Sequence, residues 1–392
     1  MKYVLYFVMA FLMIACQNSQ EYYEGIYIVG TEDLDPTAKL TVDELPSAIG
    51  VNVASSCPLE SDLEVSLEVR KDLVAYYNET YQKNYELLPD GSYKIENASL
   101  TIESGKHVSS NSLRLEIISR EKFKEGITYV LPISIAKLSD SKMAIIEGSK
   151  TVYVIVNQII ITQAANLDAY GRYYKANFKT PSKYDTKNLK SITFEARVRF
   201  KQMGKKDKWC FSIMGLEENL CVRAGGSITE GYKVSFAGKG TDPNSKDQIP
   251  ADKWVHIACV YDGSVQKKLI YIDGKLSGEA DDTRGTCDLT EAYLHDSNNS
   301  FYIGQSAADD RYMEGYVSEV RVWGIARTAA ELQNNVCWVD PTTPGLIAYW
   351  RFNEANDENK VTDLTGNGYD ATYVGGWNGT PEFVPGVRCP DN

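Results

Sequence analysis

Apolar and polar residues alternate over long stretches of this 392-residue chain, and the alternation constrains its fold more than any other feature. The segment Ile192–Phe200 has an apolar side chain at every second position. The same period of two recurs at Leu63–Val69 and Leu113–Ile117. Because successive side chains of a strand point to opposite faces, each run predicts a half-buried β-strand. The chain is therefore predicted to be all-β.

Length and composition limit the organisation and the partners. A chain of 392 residues exceeds one ordinary core, which suggests two domains. The formal charge of −12 argues against a nucleic-acid partner, since phosphate binding needs clustered Lys and Arg. All six tryptophans lie beyond residue 208, so the two halves of the chain differ in composition. We predict domains over residues 35–160 and 168–392, joined by a short polar connection at 163–166.

The N-terminus has the pattern of an export signal. An uncharged, mostly apolar run ends at Ala15 and is shorter than the roughly 20 residues that cross a bilayer. Residues 13–16 (MIAC) resemble a bacterial lipobox. The resemblance implies that residues 1–16 are a lipoprotein signal peptide, that Cys16 is lipidated and that residues 17–34 are a tether. A simple signal peptide cut near Ala15 is the alternative.

The cysteines also indicate an oxidising compartment. Six of the seven cysteines that follow Cys16 fall in the second domain. They are Cys210, Cys221, Cys259, Cys287, Cys337 and Cys389. Six cysteines allow three disulfides in 15 connectivities. Cys210 and Cys221 flank a predicted turn around Gly215 and are the favoured pair, while the alternative is that several are buried thiols acting as small hydrophobes.

The first domain is predicted to be an immunoglobulin-like β-sandwich with one short helix. Leu73, Tyr77 and Tyr81 are spaced four apart and share a helical face. The acids Glu60, Asp62 and Glu64 have the spacing that some jelly-roll glucanases use on a strand. The alternation that buries the neighbouring apolar residues turns these acids toward solvent, so we predict a solvated face.

Three segments of this domain resemble a known family. Residues 70–74 (RKDLV), 85–89 (YELLP) and 129–133 (YVLPI) resemble N-terminal modules of unknown function in Bacteroidetes-type surface lipoproteins. The resemblance covers most of residues 40–158. It implies a spacer or docking module ahead of a hydrolase or lectin-like domain.

The second domain contains four phrases in a fixed order. They are 254–256 (WVH), 271–274 (YIDG), 315–323 (GYVSEVRVW) and 327–332 (RTAAEL). Asp273-Gly274 predicts a type I′ hairpin turn, and Thr328 with Glu331 predicts a capping box. In this order the phrases resemble the laminin-G-like jelly-roll family of concanavalin A-like folds. A further stretch, 346–371, either completes the sandwich or forms a small appended unit.

That resemblance implies two curved sheets that take a ligand on the concave face or at the loop rim, often beside calcium. The candidate calcium ligands are Asp363 with Asn367 and Asp309 with Asp310, because Ca²⁺ takes oxygen ligands. The alternative is that these residues form turns or helix caps, where Asp and Asn are common.

Sugar contacts are predicted from loop aromatics and polar neighbours, since ring faces stack on pyranose C–H groups. The candidates are Trp377 and Tyr373 near a Gly-rich loop, and Arg311 with Tyr312 before the strand that begins at Gly315. Three other tryptophans, Trp254, Trp323 and Trp350, occupy strand phrases and are predicted to be core. His256 is predicted to be packed rather than catalytic.

These observations favour a non-catalytic, carbohydrate-binding lipoprotein that is held on the outer membrane by its lipid alone. Glycan is the predicted ligand, with other surface glycan-utilisation proteins as possible partners. A glycoside hydrolase that uses paired carboxylates is the first alternative. A protein-binding or adhesion module is the second.

Overall fold

The computed structural model describes residues 25–32, 36–140, 143–201, 210–217, 219–225, 233–290, 300–306, 311–375 and 379–390. The chain divides into two compact domains, Met1–Gln158 and Ile159–Asn392. The regular secondary structure of the described parts is almost entirely β-strand, which confirms the all-β prediction.

The first domain is a β-sandwich. Its strands are β1 (Gly25–Ile28), β2 (Thr37–Val42), β3 (Ser47–Val51), β4 (Val53–Ser55), β5 (Leu63–Val69), β6 (Glu86–Leu87), β7 (Tyr93–Glu96), β8 (Ser99–Ile102), β9 (Leu113–Ile117), β10 (Tyr129–Leu138), β11 (Ala144–Ile145) and β12 (Thr151–Gln158), with helix α1 (Leu73–Tyr81) and a 3-10 turn (Glu147–Ser149). One sheet has the order β2-β12-β10-β5-β8 with β6 beside β10, and two smaller sheets have the orders β11-β1-β4 and β3-β9-β7.

Helix α1 confirms the predicted helical face. Tyr77 is buried and its ring centroid lies 4.5 Å from that of Tyr153 on β12. The acids Glu60, Asp62 and Glu64 are exposed while Leu63 between them is buried, so they face solvent as predicted.

The predicted tether over residues 17–34 is too long. Its described part contains β1, in which Ile26 and Ile28 are fully buried in the core of the first domain. The alternation Ile-Tyr-Ile in this segment has the period of a strand. The residues before Gly25, including Cys16, lie outside the described residues.

The second domain is a sandwich of two large sheets. Its strands are β13 (Ile160–Asn166), β14 (Tyr173–Ala176), β15 (Ile192–Phe200), β16 (Phe211–Leu216), β17 (Leu220–Ala224), β18 (Lys233–Ala237), β19 (Asn244–Gln248), β20 (Val255–Asp262), β21 (Lys267–Ile272), β22 (Lys275–Asp281), β23 (Phe301–Ile303), β24 (Gly315–Trp323), β25 (Leu346–Trp350), β26 (Lys360–Val361), β27 (Ala371–Val374) and β28 (Phe383–Cys389), with helix α2 (Ala329–Asn334). Sheet 1 has the order β22-β21-β20-β15-β24-β13-β28 with β25 beside β24; sheet 2 has the order β19-β18-β17-β16-β23-β14-β27-β26.

The core lies between the two sheets. Phe194 and Val198 of β15 in sheet 1 share one apolar cluster with Val222 of β17 and Phe236 of β18 in sheet 2. Each belongs to an alternating strand, so every second side chain enters this core. The late stretch 346–371 adds strands to both sheets and therefore completes the sandwich.

The predicted polar connection at residues 163–166 is wrong. These residues belong to β13, which pairs with β28 and with β24 in sheet 1. Ala164 and Ala165 are fully buried, and Ala165 belongs to the core between the two sheets. The boundary between the domains therefore falls at residues 158–159, earlier than predicted.

Local turn and cap signals are confirmed. Asp273 (φ 49°) and Gly274 (φ 71°) join β21 to β22 in the left-handed conformation that a type I′ turn requires. Thr328 and Glu331 form both hydrogen bonds of a capping box at the start of α2. Asp262-Gly263, between β20 and β21, does not form a two-residue turn. The loop there has four residues, because Asp262 pairs with Lys267.

The tryptophan prediction is right for two residues of three. Trp323 and Trp350 are fully buried. Trp254 is only half-buried, and the Arg197 guanidinium lies 5.1 Å from its ring centroid. Its neighbour Val255 enters the core, so strand alternation turns Trp254 toward the opposite face of sheet 1.

The predicted Cys210–Cys221 disulfide is absent, and a disulfide joins Cys337 to Cys389. Cys221 lies opposite Gly215 in the β16–β17 ladder, whereas Cys210 precedes Phe211, which pairs with Ala224. This offset of four residues is about 13 Å along the strands, beyond the roughly 7 Å that a disulfide spans between Cα atoms. The thiols of Cys221, Cys259 and Cys287 are buried, which confirms the alternative reading for them.

A buried ionic network covers the outer face of sheet 1. Glu195 on β15 accepts hydrogen bonds from Arg321 on β24 (3.1 Å) and from Arg327 (3.0 Å), and lies 3.1 Å from His256 Nε2 on β20. Arg321 also binds Glu319 at 2.6 Å. All five side chains are buried. His256 is thus packed and hydrogen-bonded, as predicted.

Candidate functional site

The outer face of sheet 2 carries rows of polar and aromatic side chains that lie side by side on neighbouring strands. In one row, Lys175 of β14 lies beside Tyr302 of β23. In a second row, Ser212 of β16 lies beside Arg223 of β17, and Arg223 lies beside Ser235 of β18. Their neighbours along each strand belong to the core. These polar side chains therefore point away from the core, as strand alternation requires.

A cluster of two arginines and one glutamate lies at the end of this face. Glu217 follows β16, and its Oε1 accepts a hydrogen bond from Arg311 Nη1 at 2.8 Å and another from Arg223 Nη2. The side chain of Glu217 is only 5% exposed, compared with 17% for Arg223 and 24% for Arg311. One buried carboxylate thus fixes two guanidinium groups that remain partly accessible.

Two aromatic rings contact each other next to Arg311 in the chain. The ring of Tyr312, next to Arg311 in sequence, meets that of Tyr170 edge to face at 5.2 Å between centroids. Tyr170 lies in the turn after β13 and is 61% exposed. An exposed tyrosine ring offers an apolar surface with a polar edge. We call Tyr170, Glu217, Arg223, Arg311 and Tyr312 the rim cluster.

Several buried polar atoms on this side have no hydrogen-bond partner within the described part of the chain. They are Ser212 Oγ, Glu217 Oε2, Arg223 Nε and Arg311 Nε. An unsatisfied buried polar group costs about 1–3 kcal/mol. Unpaired buried atoms also occur in the ionic network of sheet 1, for example Arg321 Nε and Arg327 Nε, but those side chains are almost wholly buried. Arg223 and Arg311 remain partly exposed, so here a polar ligand could approach the unpaired groups.

The ionisable groups here suit binding better than nucleophilic chemistry. Burial raises the pKa of the Cys221 thiol to about 12, so this thiol stays protonated at neutral pH. Burial by itself lowers the pKa of Arg223, but the neighbouring Cys221 and Glu217 outweigh it and the pKa is raised. Arg223 is therefore a permanent cation.

The structure brings together only part of the predicted sugar site. Arg311 and Tyr312 are both members of the rim cluster. Trp377 lies outside the described residues. Tyr373, predicted as a sugar contact, is only 8% exposed and packs in the core against Tyr174. The reason is register: it lies opposite Tyr174, which also points inward.

The first pair of predicted calcium ligands forms a turn. Asp363 is buried, and its carboxylate accepts hydrogen bonds from the backbone of Tyr349, Thr365 and Tyr369. The Asn367 amide donates to the Ile347 carbonyl at 2.8 Å. Asp309 and Asp310 lie outside the described residues. Within the described ranges, no group of three or more His, Cys, Asp or Glu side chains is placed to hold a metal ion.

Three members of the rim cluster were not predicted from sequence. Tyr170, Glu217 and Arg223 come from three separate segments of the second domain. Glu217 follows an apolar strand and looks like an ordinary turn residue. Only the strand register shows that Arg223 and Glu217 meet, and no local pattern signals it.

The buried ionic network does not suit hydrolysis. Burial tends to raise the pKa of Glu195, but Arg327, the hydrogen bond to His256 and Arg321 together hold it well below its usual range. A general acid in glycoside hydrolysis needs a raised pKa. Glu195 is therefore poorly suited to act as a general acid.

Comparison with known families supports both domains. A model described as an N-terminal domain matches residues 19–142, and a model of the concanavalin A-like lectin/glucanases superfamily matches residues 173–333. No curated protein is significantly similar to this chain. No helix in the described ranges is long and apolar enough to span a membrane.

Solved structures give the same picture. A Bacteroides ovatus protein proposed to bind carbohydrate is 25% identical, with 92% of this chain and 97% of that chain covered and a TM-score of 0.57. EndoBT-3987 of Bacteroides thetaiotamicron, solved with a Man5GlcNAc product, is 17% identical over 34% of this chain and 30% of its own, with a TM-score of 0.27. A pentraxin of Limulus polyphemus is 12% identical over 58% and 94%, with a TM-score of 0.35.

Only the first of these likenesses is close enough to carry weight, and it extends over both domains. The two sheets of the second domain, the order of its four sequence phrases and the family match agree with one another. The chain therefore carries a laminin-G-like domain of the concanavalin A-like lectin/glucanase superfamily, preceded by a distinct N-terminal domain.

Proposed function

We propose that this protein binds glycan, without cleaving it, through the rim cluster of its second domain. The observation that carries the proposal is the group of buried, unpartnered polar atoms, which includes Glu217 Oε2 and Arg311 Nε, together with the exposed ring of Tyr170, which contacts the ring of Tyr312 next to Arg311 in the chain. A sugar supplies hydroxyls for such atoms and an apolar C–H face for such a ring. The similarity to a Bacteroides ovatus protein proposed to bind carbohydrate supports the same function.

Replacing Tyr170 by alanine is expected to weaken glycan binding by about tenfold. The loss of a stacked ring is worth roughly 0.5–1.5 kcal/mol beyond its buried area, and about 1.4 kcal/mol corresponds to a factor of ten. The full mature chain would be screened on a glycan array, and the dissociation constant of the best ligand would then be measured by calorimetry.

Tyr76→Ala is the matched control, because Tyr76 is 59% exposed and lies on α1 in the first domain. It should leave the affinity unchanged. Trp377→Ala tests the remaining sequence prediction in the same assay, and titration with and without calcium tests the predicted dependence on that ion. If Tyr170→Ala and Tyr76→Ala bind equally well, the rim cluster is not the site.

Hydrolysis is the alternative that the same experiment addresses. Every described carboxyl group whose pKa departs from its ordinary value is shifted downward, including Glu382 beside Arg172 and Asp282 beside Arg284. Such groups are poor general acids. Mass spectrometry of the bound glycan after incubation should show intact ligand, and shortened products would establish a hydrolase.

We propose further that the protein is exported and anchored by a lipid on Cys16. The Cys337–Cys389 disulfide supports export, because disulfides persist mainly in oxidising compartments. Cys16→Ser is expected to move the protein from the outer-membrane fraction to the soluble fraction and to abolish labelling by radioactive palmitate. Cys57→Ser is the control and should keep both properties. Membrane association of unlabelled Cys16→Ser protein would contradict the lipid anchor.

A further inference from the structure

The rim cluster carries more positive than negative charge. Two guanidinium groups, of Arg223 and Arg311, face the single carboxylate of Glu217. Two cations held by one carboxylate leave part of their charge uncompensated within this group of three side chains. Such a pair of guanidinium groups favours an anionic ligand.

Part of each guanidinium side chain remains accessible, since Arg223 is 17% and Arg311 is 24% exposed. Both arginines donate an Nη hydrogen bond to the same oxygen, Glu217 Oε1. The Nε–H groups of Arg223 and Arg311 remain buried and without a partner among the described residues. A guanidinium presents its donors as a planar fork that matches a carboxylate in two parallel hydrogen bonds.

We infer that the rim cluster recognises a carboxylate-bearing sugar, with Arg223 and Arg311 as the groups that bind the carboxylate. The inference rests on the proposed glycan-binding function and specifies its ligand class. In this arrangement Glu217 holds the two guanidinium groups in place and competes with the ligand for them. Ser212, which lies opposite Arg223 and whose buried hydroxyl is also unpartnered among the described residues, supplies a hydrogen bond to one of the sugar's own hydroxyls.

The test uses two ligands that differ only in the proposed group. One is an oligosaccharide of a uronic acid, and the other is the same oligosaccharide with each carboxyl group reduced to a hydroxymethyl group. The full mature chain is expected to bind the acidic form at least about tenfold more tightly, since a hydrogen bond to a charged group is worth more than a neutral one. This preference should shrink as salt is added.

Glu217→Gln should raise the affinity for the acidic oligosaccharide, whereas substitutions of the arginines should lower it. Removing the competing negative charge should tighten binding of the acidic form several-fold. If Glu217 instead accepted a hydrogen bond from a hydroxyl of a neutral sugar, the same substitution would weaken binding. Glu86→Gln is the control, because it removes an exposed glutamate that pairs with Lys124 at 2.9 Å in the first domain. Arg311→Lys, which keeps the charge but loses the fork, should reduce the preference for the acidic form.

The outcomes separate the two proposals. Equal binding of both oligosaccharides, or weaker binding by Glu217→Gln with an unchanged thermal melt, would overturn the carboxylate inference and leave glycan binding standing. Preference for sulfated over carboxylated ligands would overturn it as well. Absence of binding to every glycan on the array would overturn the proposed function itself. If Glu217→Gln changes the melting temperature, its affinity is not interpretable. The carboxylate inference is then tested by the two oligosaccharides and by Arg311→Lys.

Discussion

Replacing Cys337 and Cys389 together by serine is expected to lower the free energy of unfolding of the second domain by about 4 kcal/mol. The disulfide joins residues 52 positions apart, and a loop of that length restricts the unfolded chain strongly. Urea unfolding followed by tryptophan fluorescence would measure the change. All six tryptophans lie beyond residue 208, so this signal reports the second domain alone.

Cys57→Ser is the matched control for the loss of a thiol, since Cys57 is a half-buried free cysteine of the first domain. It should leave the fluorescence transition where it is. Treating the wild-type protein with reductant should reproduce the effect of the double substitution. A change below about 1 kcal/mol in both experiments would mean that the native contacts of β28, rather than the covalent link, hold this part of the sheet.

Glu195→Gln is expected to destabilise the second domain by about 3–5 kcal/mol. Glu195 is fully buried and its carboxylate binds Arg321, Arg327 and His256. Removing its charge leaves the two guanidinium groups buried with less compensation. The same tryptophan-monitored urea titration would measure the loss.

The comparison with Glu279→Gln isolates burial as the cause. Glu279 pairs with Lys267 at 3.0 Å in the same sheet, but half of its side chain is exposed, so its removal should cost less than about 1 kcal/mol. The folded-state pKa of Glu195 is depressed, so its stabilisation is complete above the ordinary glutamate pKa and is lost as pH falls below about 4. The penalty of Glu195→Gln should therefore shrink in acid. A penalty equal to that of Glu279→Gln would contradict this account.

Features encoded by neighbouring residues were predictable from sequence. The alternation in Ile192–Phe200 predicts β15, Asp273-Gly274 predicts its turn, and Thr328 with Glu331 predicts the cap of α2. In each case the residues that determine the structure lie within a few positions of one another. Local backbone preferences and side-chain periodicity therefore suffice.

Features that depend on strand register were not predictable in the same way. Tyr373 looked like a loop aromatic, but pairing with Tyr174 turns it into the core. Cys337 and Cys389 meet because β28 lies at the edge of sheet 1, far along the chain from Cys337. Glu217 binds Arg311 across 94 positions. Such contacts follow from how the sheets are assembled, and no short motif signals them.

The position of β13 has a consequence for biogenesis. This strand opens the second domain, yet it forms its main ladder with β28, the last strand described. Sheet 1 therefore stays incomplete while the chain is still emerging from a ribosome or a translocation channel. Until Phe383–Cys389 has been released and pairs with it, β13 keeps an exposed edge. The sheets of the first domain need no residue beyond Gln158, so that domain is free to fold while the remainder is threaded. Premature termination before residue 383 should thus yield a folded N-terminal domain followed by an aggregation-prone, protease-sensitive partial second domain.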